Sequence, residues 1–434
     1  MLVKFLKLVV NTFFQNVTIK GINNLPDSGP VIFTPNHPNA LIDPLLMFFL
    51  PPVYKIHFVA KAPLFKIPLF GWILRKMHAI PVVRRFEAKG KVDYKLFFDA
   101  CIDSLAAGNS ITIFPEGVSL SQPYMADVRT GTARLFFMAR NRNIDVKIVP
   151  VGLNYEHGSI FRTSVVIWAA KTLETSDLIA MYQEFPQSAV RNLTKRIKDS
   201  LDEHVFQTES YRDRELILLL EQIYGEENNN GTWSVRLERL KQFEMGLIFF
   251  KDQCADEIVS LRRMLSRYES LTKSLEGLHR TKAGNQPGSP MRFFLVLLGL
   301  PFAGLGWLLN VLPYQLINLI VKHMKKYEES AAATYKVLYA LLLFPLTYVL
   351  ETGLIYLWLG WVVAIIFAIF VVPLSYFTLF FQEWVQKGGW VIPVVSMRLK
   401  RTLSPRILTQ IKDQRARITS LVDNLAKRLD KQPE

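Results

Sequence analysis

The stretch Pro35-Asn36-His37-Pro38-Asn39-Ala40-Leu41-Ile42-Asp43-Pro44 follows one apolar run, Val31-Ile32-Phe33, and precedes another, Leu45-Leu46-Met47-Phe48-Phe49-Leu50. The first run reads as a short buried strand and the second as buried helix. A His and an Asp at a strand-to-helix junction are the minimum for general base catalysis. Neutral imidazole takes a proton from a hydroxyl, and a carboxylate fixes its tautomer and stabilises the cation. The same residues also fit a helix N-terminus with polar caps. The stretch by itself leaves both readings open.

Outward from it, short strands alternate with helical segments to about Ala170. Val17 to Gly21, Ile56 to Ala60, Ala79 to Val83, Ile111 to Phe114 and Lys147 to Gly152 read as strands. Residues 92–107 and 131–142 read as helices. Continuous apolar strands between helices predict an α/β domain, over residues 15–175, with a covered and largely parallel sheet. In such sheets a site gathers at the strand ends.

Two more stretches of this domain carry chemistry. Ala79-Ile80-Pro81-Val82-Val83-Arg84-Arg85 ends a strand on two arginines. That suits bidentate phosphate binding, and it equally fits a positive surface patch. Ile113-Phe114-Pro115-Glu116-Gly117-Val118-Ser119 puts a carboxylate and a glycine directly after a strand. Glycine permits close backbone approach to a ligand, and a carboxylate accepts hydrogen bonds from a polyol.

In this order the blocks resemble those of the PlsC-like glycerophospholipid acyltransferase superfamily: His-x4-Asp, an Arg-ended block, Phe-Pro-Glu-Gly, and a strand with Pro. The counterparts here are His37 with Asp43, Ala79 to Arg84, Phe114 to Gly117, and Val149-Pro150-Val151-Gly152. The resemblance covers roughly residues 15–172 and selects the dyad reading of His37. It departs in two places. Five residues separate His37 from Asp43, and Gly117-Val118-Ser119 stands where Gly-Thr-Arg is common. The wider spacing and a long hydrophobic C-terminal extension look like the fungal-type glycerol-3-phosphate acyltransferases and their bacterial relatives.

The resemblance implies direct acyl transfer from acyl-CoA or acyl carrier protein to glycerol-3-phosphate or 1-acylglycerol-3-phosphate. His37 is then the base and Asp43 its orienting partner. Arg84, with Arg85 beside it, matches the phosphate-binding position. Pro115, Glu116 and Gly117 match acceptor-binding positions, and Pro150 matches a block that shapes the site. No cofactor or metal is implied, and no metal-ligand set is legible. A lysophospholipid acceptor with another head group is the neighbouring reading. An inactive membrane scaffold or lipid-binding protein on the same fold is the reading from a different class.

The remainder of the 434-residue chain places this domain at a membrane. The net charge is +15 and half the residues are hydrophobic, with the excess after residue 290. A basic chain with long apolar runs points to an anionic membrane surface. Zinc-ligand spacings and RNA-binding signatures are missing, which argues against nucleic acid. The two cysteines, Cys101 and Cys254, lie far apart and fit a reducing compartment.

Residues 1–14 form an amphipathic pattern too short to span a bilayer and suited either to its interface or to the protein's own core. Residues 176–285 read as a charged helical region that ends in a Gly/Pro/Asn/Ser-rich linker from Thr281 to Pro290. Residues 291–385 form the membrane region. Within it, 337–381 is long enough for a hairpin of two spans turning near Leu359-Gly360-Trp361, with Glu351 facing protein or water.

Thioester donors are cytosolic, so the catalytic domain belongs on the cytoplasmic face, of the inner membrane in a bacterium or of the endoplasmic reticulum in a eukaryote. Lys322, Lys325, Lys326, Lys387, Arg398, Lys400 and Arg401 flank the hairpin and put both its ends on that face. The run 293–321 must then begin and end there too, as a re-entrant or surface-lying pair of half-helices kinked at Pro301 or around Gly304 and Gly306. Residues 400–434 read as an amphipathic helix with Ile411, Ile418 and Leu425 seven apart.

Overall fold

The computed structural model describes residues 1–83, 94–227, 231–273, 290–324, 329–387 and 405–429. Arg84, Arg85 and the expected linker up to Ser289 lie outside the described residues. The chain divides into two compact units. The first holds residues 1–221, 227–244 and 327–334, and the second holds 222–226, 245–326 and 335–434.

The first unit opens with α1 (Leu2–Phe13), β1 (Asn16–Lys20), β2 (Val31–Pro35), α2 (Ile42–Met47) and β3 (Ile56–Lys61). It continues through α3 (Pro68–Lys76), β4 (Ile80–Val82), α4 (Lys95–Ala106), β5 (Ser110–Thr112), α5 (Gly131–Asn141), β6 (Lys147–Tyr155) and β7 (Ser164–Ala169). The helices α6 (Ser176–Glu184), α7 (Pro186–His204) and α8 (Tyr211–Glu227) follow, then α9 (Trp233–Gln253), of which residues 222–226 and 245–253 fall in the second unit. The strand order is β1-β7-β6-β2-β5-β3-β4. All neighbours are parallel except β6 and β7, so the β1–β7 pair runs opposite to the other five strands. The largely parallel sheet expected from sequence is present, with β7 as an added strand beyond those the sequence predicts.

One sheet face is covered by α4, α5 and α7, whose Ile102, Leu105, Phe136, Phe137, Leu193 and Ile197 pack with Ile32, Ile111 and Ile148 of the central strands. The periodicity of α7 shows why it docks: Ala189, Val190, Leu193, Ile197 and Leu201 are buried and repeat at helical spacing. On α1, Leu6, Val10 and Phe13 are buried, while Val3, Phe5 and Leu8 remain exposed. The N-terminal helix thus packs on the protein with one face and presents a second apolar face outward.

The second unit contains α10 (Ala255–Lys273), α11 (Pro290–Met324), α12 (Ala332–Leu359) from Tyr335 onward, α13 (Trp361–Lys387) and α14 (Pro405–Leu429), while the first turn of α12 belongs to the first unit. Helices α11, α12 and α13 are each long and apolar enough to cross a membrane. The expected turn at Gly360 separates α12 from α13, with Gly360 at a φ of 84°. The expected pair of half-helices over 293–321 is corrected: α11 is one helix with Pro301 and Pro313 inside it. Its glycines serve close packing. A Cβ on Gly299 would lie 2.3 Å from Phe381, and one on Gly306 would lie 2.0 Å from the Thr378 hydroxyl. Asn310 of α11, Tyr348 of α12 and Ser375 of α13 form a three-way hydrogen-bonded cluster, with Tyr348 Oη 2.7 Å from Asn310 Oδ1.

After the apolar helices, α14 returns to α10. Ile411, Ile418 and Leu425 are buried, as are Ile258, Leu261 and Leu265 of α10. Gln414 donates to the Met264 carbonyl at 3.3 Å, and Arg428 pairs with Glu257 at 3.2 Å.

Candidate active site

Parallel pairing assembles the site. Register sets Phe33 of β2 beside Thr112 of β5, so His37 and Glu116, each four residues further on, emerge together. Pro35 of β2 pairs with Val151 of β6, which brings Tyr155, four residues further, to the same end of the sheet.

His37 Nδ1 lies 2.8 Å from Asp43 Oδ2, with Asp43 fully buried and the His37 side chain 12% exposed. The Asn39 N–H donates to the same carboxylate oxygen at 2.7 Å, and the Tyr155 hydroxyl donates to Oδ1. Three donors thus meet the buried carboxyl group and replace the water it has lost. Burial and the adjacent Asp43 charge push the Tyr155 hydroxyl far above its ordinary value, which keeps it a donor. The imidazole stacks on Phe114 at 4.0 Å between ring centroids and 20° between planes. Its Nδ1 faces Asp43, which leaves Nε2 for an acceptor hydroxyl.

Glu116 is buried, and both its oxygens meet backbone donors: the His37 N–H at 2.6 Å and the Ala126 N–H at 2.8 Å. Burial raises its carboxyl above the ordinary range, and the two N–H donors pull it back. Here Glu116 ties the His37 segment to the turn after β5. Gly117 sits at a φ of 71°, and a Cβ there would lie 3.3 Å from the Arg129 side chain. Pro115 accepts the Arg129 N–H at 2.9 Å. Pro150 sits within β6 opposite Thr34, where it shapes the strand and bonds Ala170 through its carbonyl.

Asn39, Tyr155 and Arg129 join these residues with no motif to mark them, and so does Ser119, which stands where an arginine is common. Tyr155 had a signal only in hindsight, as a polar residue ending an apolar strand. Cys101 is buried and its thiol is pushed up to about 12, which removes it as a nucleophile.

Glu116→Ala should lower the unfolding midpoint of the detergent-solubilised protein, because it leaves the N–H groups of His37 and Ala126 without acceptors. Each orphaned donor costs about 1–3 kcal/mol. Native Glu116 binds its proton more readily than the unfolded chain does. Its contribution therefore improves as pH falls through the raised value towards 4.5, and the alanine variant loses that dependence. An unchanged midpoint would contradict the anchoring role.

The Acyltransferase family model matches residues 16–154. Glycerol-3-phosphate O-acyltransferase 1 of Saccharomyces cerevisiae is 28% identical over 144 residues, covering 32% of this chain and 19% of that protein. Glycerol-3-phosphate O-acyltransferase 2 of the same yeast is 30% identical over 119 residues, covering 27% of this chain and 16% of that protein. The matched segment thus spans less than a fifth of either relative. The crystal structure of the 1-acyl-sn-glycerophosphate (LPA) acyltransferase PlsC from Thermotoga maritima aligns at 17% identity with a TM-score of 0.34, over 45% of this chain and 76% of that one. Residues 16–154, the segment that carries His37, Asp43 and Glu116, match the Acyltransferase family and are similar to the two yeast glycerol-3-phosphate O-acyltransferases.

Proposed function

We propose that this protein is a membrane-bound O-acyltransferase that moves a fatty acyl group from acyl-CoA or acyl carrier protein to glycerol-3-phosphate or 1-acylglycerol-3-phosphate. The observation that carries the mechanism is the His37–Asp43 pair at 2.8 Å, with one imidazole nitrogen left for substrate. His37 Nε2 takes the proton of the acceptor hydroxyl while Asp43 stabilises the imidazolium. The acceptor oxygen bonds the thioester carbonyl carbon. The carbon–sulfur bond breaks, and the imidazolium returns its proton to the departing thiolate. Atoms balance as ester plus free thiol, with no acyl-enzyme and no metal.

Arg84, two residues beyond the end of β4, is proposed to hold the acceptor phosphate, with Arg85 beside it. Arg129 lies across Gly117 and offers a further guanidinium next to the Glu116 turn. Gly117 leaves room there for the acceptor.

The two yeast glycerol-3-phosphate acyltransferases favour glycerol-3-phosphate as the first acceptor to try. The test is purified protein with labelled acyl-CoA or acyl carrier protein and a panel of glycerol phosphates and lysophospholipids. Transfer to a phosphorylated glycerol acceptor, reduced about 10²–10⁴-fold in a folded His37→Ala variant, is the expected result. Near-normal turnover of His37→Ala would end the dyad mechanism. Failure of the wild-type protein with every donor and acceptor would favour a scaffold.

We also propose that α12 and α13 form the one hairpin that crosses the membrane, with the catalytic unit cytoplasmic. Two contacts support this. The Leu41 N–H of the His37 loop donates to Thr334 Oγ1 at 3.1 Å, so the chain after α11 rejoins the domain that precedes it. Likewise α14, after the three apolar helices, packs on α10, before them. Each return requires an even number of crossings between its partners. On this reading α11, apolar all round, lies embedded in the leaflet and ends on the side where it began. Its length of about 52 Å at 1.5 Å per residue exceeds what a single crossing needs. In a background lacking Cys101 and Cys254, Arg263→Cys and Lys322→Cys should label from the same, cytoplasmic side and Leu359→Cys from the other. Opposite-side labelling of positions 263 and 322 would mean that α11 crosses once.

A further inference from the structure

The five residues between His37 and Asp43 make a longer loop than the related pattern has, and every backbone N–H in it has an acceptor. His37 N–H meets Glu116 at 2.6 Å, and Pro38 has no N–H. Asn39 N–H meets Asp43 at 2.7 Å, and Ala40 N–H meets Ser119 Oγ at 2.9 Å. Leu41 N–H meets Thr334 Oγ1 at 3.1 Å, and Ile42 N–H meets the Asn39 carbonyl at 2.9 Å. Ala40 takes a φ of 37°, a left-handed conformation unusual for a residue other than glycine. A loop so strained persists only where its surroundings over-determine it.

The structure assigns Ser119 and Thr334 as positioning residues that hold the elongated loop so that Asp43 meets His37. Both departures from the related motif pattern then belong to one device. The extra residue presents an additional N–H, and Ser119, standing where an arginine is common, caps it. The cap on the next N–H comes from the first turn of α12, a helix long and apolar enough to cross a membrane. That turn is seated firmly: Ala331, Ala332, Ala333 and Thr334 are all buried. Loss of either cap frees the segment 39–41. The Asn39 N–H and His37 Nδ1 share one oxygen of Asp43, so movement of that segment reaches the imidazole directly. Start of the membrane helix and orientation of the base are coupled through one hydroxyl.

This assignment rests on the acyl-transfer reading, so its test carries a readout that does not need activity. Full-length wild type, Ser119→Ala, Thr334→Val and Thr334→Ser are compared in detergent. The expected result is a kcat lower by about tenfold or more in Ser119→Ala and Thr334→Val, since small misplacements of a catalytic group cost that much or more. KM for donor and acceptor stays within about twofold of wild type, and Thr334→Ser, which keeps the hydroxyl, restores kcat. The carbethoxylation rate of His37 by diethyl pyrocarbonate, read by peptide mass spectrometry, should change in Thr334→Val and return in Thr334→Ser.

An unchanged kcat and unchanged His37 reactivity in Thr334→Val would overturn the assignment. So would a parallel fall in kcat, affinity and melting temperature that serine does not rescue, which would mark a merely structural contact. If wild type transfers no acyl group at all, the acyl-transfer reading fails, and the His37 reactivities alone decide the positioning role.

Discussion

The Asp43 carboxylate is fully buried, and a buried charge is tolerated only where hydrogen bonds replace its lost water. Three donors do so: His37 Nδ1, the Asn39 N–H and the Tyr155 hydroxyl. They come from the loop after β2 and from the end of β6. Much of the local architecture serves to bring those groups to one point. The cost of leaving any of them unmade explains why the loop geometry is so fully specified, down to the acceptor of each N–H.

The parallel sheet supplies the convergence. Parallel neighbours end at the same edge, so the segments that leave β2, β5 and β6 meet there without a special connection. Offsets of four residues from the paired Phe33 and Thr112 carry His37 and Glu116 to that edge, and Tyr155 reaches it four residues beyond Val151, the partner of Pro35. The packing of α4, α5 and α7 on one face keeps the strands in register. The site is therefore a consequence of strand polarity and register as much as of the residues themselves.

The sequence revealed His37, Asp43 and the Glu116 turn because each lies within a few residues of a strand whose apolar run is unmistakable. The core helix α7 was not separately delimited, since its apolar stripe sits inside a charge-dense region. Tyr155 and Thr334 escaped notice for a different reason. Their partners are 112 and 293 residues away, and no local spacing encodes such a contact. The motif gives Glu116 as an acceptor-binding position, and the fold adds that both its oxygens meet backbone N–H groups. The apolar run 293–321 misled through its prolines and glycines. They read as break points, but α11 continues through them, and Gly299 and Gly306 give α13 room to approach.

The first turn of α12, a helix long and apolar enough to cross a membrane, meets the His37 loop through Thr334. The proposed acyl transfer and the positioning role of the loop both depend on Asp43 acting as the partner of His37 across a spacing one residue wider than the related pattern. The steady-state kcat of a folded Asp43→Asn variant, with the acyl donor and acceptor that wild type uses, tests that dependence most directly. A fall of about 10²–10⁴-fold is expected, as the imidazole loses its orientation and the charge that stabilises its protonated form. A kcat within about threefold of wild type would mean that the two residues do not act as a pair.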